Sequence, residues 1–103
     1  MVINYSKQLI SESDINSVSR TLRSDFLTTG PKIKVFEDLI KKKVKSKYSI
    51  VVNSATSALH ISCLALGLTK NDYLWTSSNS FVASANCALY CNAKIDLVDI
   101  NLE

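Results

Sequence analysis

The sequence predicts an α/β fold, and two patterns along the chain carry that prediction. Two long stretches, residues 48–69 and 73–93, contain no Asp, Glu, Lys or Arg, and each divides into a strand-like piece followed by a helix-like piece. Before them, charged residues alternate with apolar residues at helical spacing. We therefore expect two amphipathic helices and then a βαβαβ unit, in which helices cover both faces of a parallel sheet.

The first two predicted helices form an arm over residues 1–47. Ser11 and Asp14 make a capping-box pattern at the start of the first helix, which we expect over residues 10–22. A loop ending in Gly30-Pro31 follows, and proline suits the first position of the next helix. The second helix carries an apolar stripe formed by Ile33, Phe36, Leu39, Ile40 and Val44.

From residue 48 onward, strands and helices are expected to alternate through residue 103. The predicted elements are a strand at 49–53, a helix at 55–68, a strand at 73–77, a helix at 80–90 and a strand at 94–100. Gly67 is placed to end the first of these helices, and Ser80 is placed to cap the second. Three parallel strands leave two open sheet edges, so we expect the front portion of a larger protein or a chain that folds with a partner.

Composition and charge exclude several classes of protein. With 47% hydrophobic and 20% charged residues, the chain is expected to be globular rather than disordered. The lysines between residues 41 and 47 lie where a helix should end, and no arginines or aromatic residues accompany them, which favours a solvated terminus over a nucleic-acid surface. The amino terminus lacks a secretory pattern, and polar clusters interrupt the uncharged stretches, so we expect a cytoplasmic protein without membrane spans.

The cysteines and the single histidine are expected to be structural. Cys63, Cys87 and Cys91 are too few for a disulfide framework, and no histidine or acid lies at ligand spacing from them. We therefore expect small buried side chains and no metal site. His60 is expected to be a packed helix residue, and two acids, Asp72 and Asp96, are expected to belong to a turn and a strand.

The junction between the first predicted strand and its helix indicates an anion site. After Asn53 the chain passes through small polar residues into a helix, whose first amides have no internal partner and lie at the positive end of the helix dipole. The second such loop, residues 76–81, follows the next strand, and both loops should lie at the carboxyl ends of parallel strands. Phe81 could offer a ring face to an aromatic ligand there, or could anchor its helix in the core.

Three runs of the sequence, in this order, resemble one known family. They are 26–31 (FLTTGP) followed by Phe36-Glu37, 53–60 (NSATSALH) and 75–86 (WTSSNSFVASAN). They resemble the amino-terminal part of the DegT/DnrJ/EryC1/StrS family of sugar aminotransferases, which depend on pyridoxal phosphate. The resemblance implies that residues 1–103 form the amino-terminal part of a large pyridoxal-phosphate-dependent transferase domain.

The resemblance also implies roles for particular positions. Ala55 and Thr56 match the family's cradle for the cofactor phosphate, and Phe81 matches the aromatic residue that stacks on the pyridine ring. The positions that match contacts to the nucleotide-sugar substrate are Tyr5, Asp25, Phe26, Leu27, Thr28 and Ala55. Ser78 stands where relatives often have proline.

The implied activity is the transfer of an amino group, usually from glutamate, to the 4-keto position of a UDP-linked 4-keto-6-deoxy sugar by a homodimer. That chemistry needs a lysine for the Schiff base and an acid at the pyridine nitrogen, which in relatives lie beyond residue 103. The lysines at 41–47 are expected to be solvated, and Lys94 begins a strand. The chain alone is therefore not expected to catalyse transamination.

Two other functions remain open from the sequence. One is a small Rossmann-like module that binds a phosphorylated ligand without chemistry, although its first loop lacks the GxGxxG pattern. The other is an inactive remnant that contributes only an interface.

Overall fold

The computed structural model describes residues 5–101, which contain four α-helices and two β-strands and confirm the α/β class. The elements are α1 (Glu12–Leu22), α2 (Pro31–Val44), α3 (Ala55–Ala65), β1 (Tyr73–Ser77), α4 (Ala83–Tyr90) and β2 (Lys94–Val98). The chain divides into two compact units, Met1–Ser49 and Ile50–Glu103. Within the described residues, none of the helices has both the length and the apolar character needed to span a membrane.

Helix α1 begins with the capping box that the sequence predicts. The Asp14 amide donates to the Ser11 hydroxyl at 3.3 Å, and the Ser11 amide donates to the Asp14 carboxylate at 2.8 Å. The two bonds satisfy amides that the helix itself leaves without an acceptor. Hydrogen bonding from the Ser11 backbone, and then from its side chain, lowers the pKa of Asp14.

Helix α2 begins at Pro31, as predicted, and ends at Val44; its C-cap, Lys45, has a left-handed conformation with φ of 55°. Basic residues fill its last turn, where cations interact favourably with the negative end of the helix dipole. Asp38 pairs with Lys34 at 3.4 Å and with Lys41 at 3.3 Å on the exposed surface. Neither α1 nor α2 contains a buried residue, so their predicted apolar stripes form but are not covered within this unit.

The second unit is a βαβ arrangement with one additional helix. Strands β1 and β2 pair in parallel, in a register that runs from Tyr73 opposite Lys94 to Ser77 opposite Val98. Helix α4 makes the crossover between them and packs on both strands, while α3 packs on α4. The buried side chains of this unit are small: Cys63, Ala83, Cys87, Ala88, Cys91 and Ala93.

The predicted strand at 49–53 is wrong. Those residues belong to no helix or strand, so the sheet within residues 5–101 has two strands rather than three. The run is rich in β-branched residues, which favour an extended backbone. A strand also requires a neighbouring backbone at hydrogen-bonding distance, and local sequence does not specify that neighbour.

The predicted cap of α4 is also wrong, because the helix begins at Ala83 with Val82 as its N-cap. The backbone turns tightly just before the helix: the Ser84 amide donates to the Phe81 carbonyl at 2.9 Å. The Ser80 hydroxyl lies 3.2 Å from that of Ser84, so it pairs with a side chain rather than with the first amides. Two further boundaries differ modestly, since α3 ends at Ala65 and β2 ends at Val98.

Gly67 ends α3 as predicted. Its φ is +74°, a conformation that glycine adopts without steric cost. The amide of Leu68 then donates to the Cys63 carbonyl at 3.0 Å, which closes the last turn of the helix.

Candidate functional site

Within residues 5–101, the first turn of α3 leaves two backbone amides without an acceptor. Ser54 is the N-cap, with an extended backbone, and its hydroxyl accepts from the Ser57 amide at 3.1 Å. Among the described residues, the amides of Ala55 and Thr56 have no such acceptor, as expected for the first turn of a helix. Both lie at the positive end of the dipole, so the pair can bind an anion such as a phosphate.

The hydroxyl groups around this turn are already engaged with one another. The Ser57 hydroxyl donates to the Asn53 side-chain oxygen at 2.9 Å, and it lies 3.0 Å from the Ser54 hydroxyl. Sequence reasoning missed the role of Asn53 as an acceptor, because an Asn before a helix gives no signal of which hydroxyl it will accept from. The consequence is that backbone amides, more than the hydroxyls of Ser54 and Ser57, remain available for a ligand.

Phe81 lies in the loop between β1 and α4 and is 74% exposed. The loop is held where the strands end: the Ser78 amide donates to the Val98 carbonyl at 3.1 Å, and the Asn79 amide donates to the Ser77 hydroxyl at 3.3 Å. In this unit the ring is not a core anchor. Its exposed face is free to stack on a planar ligand.

The loop between α1 and α2 carries most of the predicted substrate positions on its surface. The Ser24 hydroxyl donates to the Thr21 carbonyl at 2.7 Å and to the Phe26 carbonyl at 3.2 Å, which folds the loop back on the end of α1. Thr29 has a φ of 48°, a left-handed conformation that is costly for a β-branched residue. The predicted substrate residues Asp25, Phe26, Leu27 and Thr28 are exposed, as is Tyr5.

The predicted site residues fall into the two units. Ala55, Thr56 and Phe81 all lie in the second unit, on or next to helices α3 and α4, which pack against each other. The predicted substrate residues other than Ala55 lie in the first unit. Of these, Leu27 lines an open groove of about 410 Å³, whose other lining residues are Ser17, Val18, Thr21, Leu22 and Lys32.

The remaining titratable candidates have structural partners. The His60 ring meets the Tyr90 ring edge-on, with centroids 5.1 Å apart, which confirms it as a packed helix residue. The Asp72 carboxylate accepts from the amide of Thr69 at 2.7 Å and from its hydroxyl at 2.8 Å, and these bonds lower the pKa of Asp72. Asp96 lies in β2, as predicted.

The three cysteines are free and buried, as the sequence predicts. Burial, reinforced by the neighbouring thiols, raises the pKa of Cys63 to about 11. A thiol with that pKa is almost entirely protonated near neutral pH, so it reacts slowly as a nucleophile and is a poor metal ligand there. Within residues 5–101, no three side chains of His, Cys, Asp or Glu are arranged to hold a metal ion.

Comparison with known proteins assigns the chain to a family. The sequence profile of the DegT/DnrJ/EryC1/StrS aminotransferase family matches residues 8–103, nearly the whole chain. The chain therefore belongs to this family, and the resemblance seen in its sequence motifs is confirmed.

Two of the relatives have names that refer to sugars or polysaccharides. The UDP-4-amino-4,6-dideoxy-N-acetyl-beta-L-altrosamine transaminase of Campylobacter jejuni is 40% identical over 99 residues, which are 96% of this chain and 26% of that protein. The spore coat polysaccharide biosynthesis protein SpsC of Bacillus subtilis is 35% identical over 97 residues, or 94% of this chain and 25% of that protein.

A solved structure agrees with both the fold and the family. The structure named "Putative sugar aminotransferase Spr1654 from Streptococcus pneumoniae, PLP-form" superimposes with a TM-score of 0.87 at 31% identity, covering 96% of this chain and 25% of that one. The chain thus spans about a quarter of the length of the relatives it matches.

Proposed function

We propose that this chain supplies the phosphate-binding turn and the ring-stacking residue of a pyridoxal-phosphate-dependent sugar aminotransferase. The single observation that carries the proposal is the first turn of α3, where the amides of Ala55 and Thr56 have no acceptor among the described residues. Membership of the aminotransferase family, together with a structural relative in a PLP-form, supports pyridoxal phosphate as the ligand.

The residues present fit such a cofactor. A phosphate dianion is stabilised by free amides at the positive end of a helix. The Ser54 hydroxyl accepts from the amide of Ser57, which leaves the amides of Ala55 and Thr56 available for the phosphate. The exposed ring of Phe81 provides an apolar face for a pyridine ring. When bound, the cofactor supplies a conjugated ring that accepts an electron pair during amino transfer.

In the reaction, this chain would bind and orient the cofactor. Ala55 and Thr56 would hold the phosphate, and Phe81 would fix the plane of the ring, so that the reacting bond is aligned with the ring system. We assign no residue of this chain as the lysine that amino transfer requires, and none as the acid at the ring nitrogen.

The proposed substrate is a UDP-linked 4-keto-6-deoxy amino sugar of surface-glycan biosynthesis, as on the route to pseudaminic acid. The name of the C. jejuni relative supports this class of sugar. Within this chain, the candidate contacts are Tyr5, Asp25, Phe26, Leu27, Thr28 and Ala55. We further propose glutamate as the amino donor, a homodimer as the working form, and the cytoplasm as the location.

Replacing Ala55 with proline tests the phosphate site. Ala55 is the first residue of α3, and Ser54 before it is extended, so proline fits the backbone and removes only the amide hydrogen. Losing one charge-assisted hydrogen bond should weaken the binding of pyridoxamine 5′-phosphate about tenfold. Calorimetric titration measures this, and the ligand has no aldehyde that could react with surface lysines.

Two controls accompany that variant. Ala55→Ser keeps the amide and should bind as the parent does, and pyridoxamine without phosphate should bind Ala55→Pro and parent alike. Equal affinity of Ala55→Pro and parent for the phosphorylated ligand would overturn the assignment of the phosphate to this turn.

Phe81→Ala separates ring stacking from phosphate binding. Loss of the ring face should lower the affinity for pyridoxamine 5′-phosphate and for pyridoxamine by the same factor, about fivefold, because both ligands contain the stacked ring. Unchanged affinity for both ligands would mean that Phe81 does not stack on the cofactor.

A further inference from the structure

The side chains of three cysteines from two helices meet in the centre of the second unit. Cys63 comes from α3, Cys87 from α4, and Cys91 from the C-cap of α4, and the three form one buried cluster. Their exposed fractions are 6%, 2% and 8%, and all three are free thiols. Nothing in the proposed aminotransferase function uses them.

The arrangement of the cluster favours a bond between helices over one within α4. Cys87 and Cys91 are four residues apart and so follow one another along the same face of α4. Side chains on one face of a helix project in similar directions, whereas a disulfide needs Cβ atoms that turn towards each other, so a bond between these two cysteines is expected to be strained. Cys63 joins the same contact cluster from the other helix, and side chains in contact across two packed helices can approach the spacing of a disulfide.

We propose that this cluster is an oxidation site, at which a two-electron thiol oxidant such as a peroxide joins Cys63 to a cysteine of α4 and thereby cross-links α3 to α4. One thiolate attacks a peroxide oxygen, forms a sulfenic acid and releases hydroxide. The second thiolate attacks that sulfur, forms the S–S bond and releases the sulfenic oxygen as hydroxide. Overall, two thiols and one hydrogen peroxide give one disulfide and two waters.

The burial of the thiols sets the rate of this reaction. A thiolate is the attacking species, and burial disfavours it at Cys63. Cys91 follows the last residue of α4 and is the most exposed of the three, so fraying of that helix end is the route by which an oxidant enters. The cross-link should therefore form slowly at neutral pH and faster as the pH rises.

The cross-link would tie together the two helices that follow the candidate binding loops. Helix α3 begins at the turn with the free amides, and α4 begins just after Phe81. A bond between them restricts their relative movement and removes conformations from the unfolded chain. The oxidised protein should therefore unfold at a higher temperature than the reduced one.

The test is to treat the purified folded protein with diamide, or with hydrogen peroxide, and to map the products by mass spectrometry after blocking the remaining thiols. Diamide takes up the two electrons and two protons from the thiols and becomes a hydrazine. We expect a loss of about 2 Da within one chain and a cross-linked peptide pair that contains Cys63 and either Cys87 or Cys91. The yield should rise between neutral and alkaline pH.

Substitutions decide the assignment. Cys63→Ala should abolish the cross-link, and so should the double variant Cys87→Ala with Cys91→Ala, each tested in protein whose far-ultraviolet circular dichroism matches that of the parent. The proposal fails if oxidation gives only a bond between Cys87 and Cys91, only bonds between chains, or no bond in protein that is shown to be folded.

Discussion

Gly30 shows why one position of the loop before α2 cannot carry a side chain. A Cβ atom built there would lie 2.9 Å from the Phe26 carbonyl oxygen and 3.1 Å from the Phe26 Cβ. The backbone of Gly30 itself is ordinary, with φ of −75°, so the need for glycine is one of space rather than of conformation. The close approach holds the segment with the predicted substrate residues against the start of α2.

We expect Gly30→Ala to lower the free energy of unfolding by about 1 to 3 kcal/mol, because Phe26 must move to admit the methyl group. Urea denaturation followed by circular dichroism measures the loss. The two closest contacts are with the Phe26 carbonyl oxygen and the Phe26 Cβ, and both atoms remain in Phe26→Ala, so adding Phe26→Ala to Gly30→Ala should not restore stability.

Gly67 provides the matched comparison, because a Cβ there meets nothing within 4 Å while φ is +74°. Gly67→Ala should therefore be destabilising through the backbone alone, by about 1 kcal/mol. Asn tolerates that conformation, so Gly67→Asn should recover much of the loss, whereas Gly30→Asn should recover none. Recovery at both positions would contradict the steric account of Gly30.

At the scale of elements, the start of α1 depends on an ionised carboxylate. The pKa of Asp14 is lowered by hydrogen bonds that exist only in the folded capping box. A lowered pKa in the folded state stabilises the helix above the pKa of the unfolded chain, and this contribution is lost as the pH falls through the folded value. Acid should therefore fray α1 from its amino-terminal end.

Asp14→Asn is the variant that tests this dependence. We expect the acid-induced loss of α1 amide signals, followed by nuclear magnetic resonance, to disappear in the variant, since no carboxylate remains to be protonated. In Ser11→Ala the pKa of Asp14 should rise only in part, because the backbone bond from residue 11 persists while the side-chain bond is lost. An unchanged pKa in Ser11→Ala would mean that the hydroxyl does not contribute.

Helix boundaries were predictable where the chemistry that sets them is local. Ser11, Pro31 and Gly67 each act within a few residues of their own position. The sequence alone therefore placed the start of α2 at Pro31, and it put the start of α1 two residues too early and the end of α3 three residues too late. The segment 49–53 was not predictable in the same way. Its residues favour an extended backbone, yet pairing depends on a partner strand that is distant in the chain.

At the scale of the whole molecule, the core of the second unit is built from cysteine and alanine. Small side chains allow α4 to pack closely on both the sheet and α3. Of the large apolar residues, Leu68 and Leu74 pack against the cysteine cluster but are only partly buried. Those of the α1 and α2 stripes are exposed, as are Trp75, Phe81 and Leu97. Stability of this unit should therefore respond strongly to changes at the cysteine cluster.

Alkaline pH should destabilise the second unit through Cys63. Burial raises the pKa of Cys63 from 9.0 to about 11. Between these pH values the folded state therefore keeps a proton that the unfolded chain has already released. This contribution is fully present below pH 9 and is lost as the pH rises toward 11. Comparing urea unfolding of the parent and Cys63→Ala across that range isolates the effect, since lysines and tyrosines titrate in both proteins.

The expected result is a stability difference between parent and Cys63→Ala that shrinks as the pH rises. A constant difference across the range would mean that the pKa of the Cys63 thiol is the same in the folded and unfolded states, which contradicts a pKa raised by burial.

The candidate site was predictable only in part. The free amides of Ala55 and Thr56 follow from a general property of helix starts, so the sequence predicted them without a structure. The acceptor role of Asn53 was not predictable, because it depends on how the side chains of one turn are oriented. The assembly of Tyr5 and the loop at 25–28 with the cofactor residues remains a prediction from the family resemblance.

The two-stranded sheet has a consequence for how the protein exchanges hydrogen with solvent. Within the described residues each strand has a single neighbour, so alternate backbone amides of β1 and β2 face away from the pairing between them. In heavy water these outward amides should take up deuterium well before the inward ones, which gives each strand a two-step isotope uptake along its length. If a third strand paired with β1 or β2, the outward amides of that strand would become hydrogen-bonded. They would then exchange slowly, and the fast step of deuterium uptake in that strand would disappear.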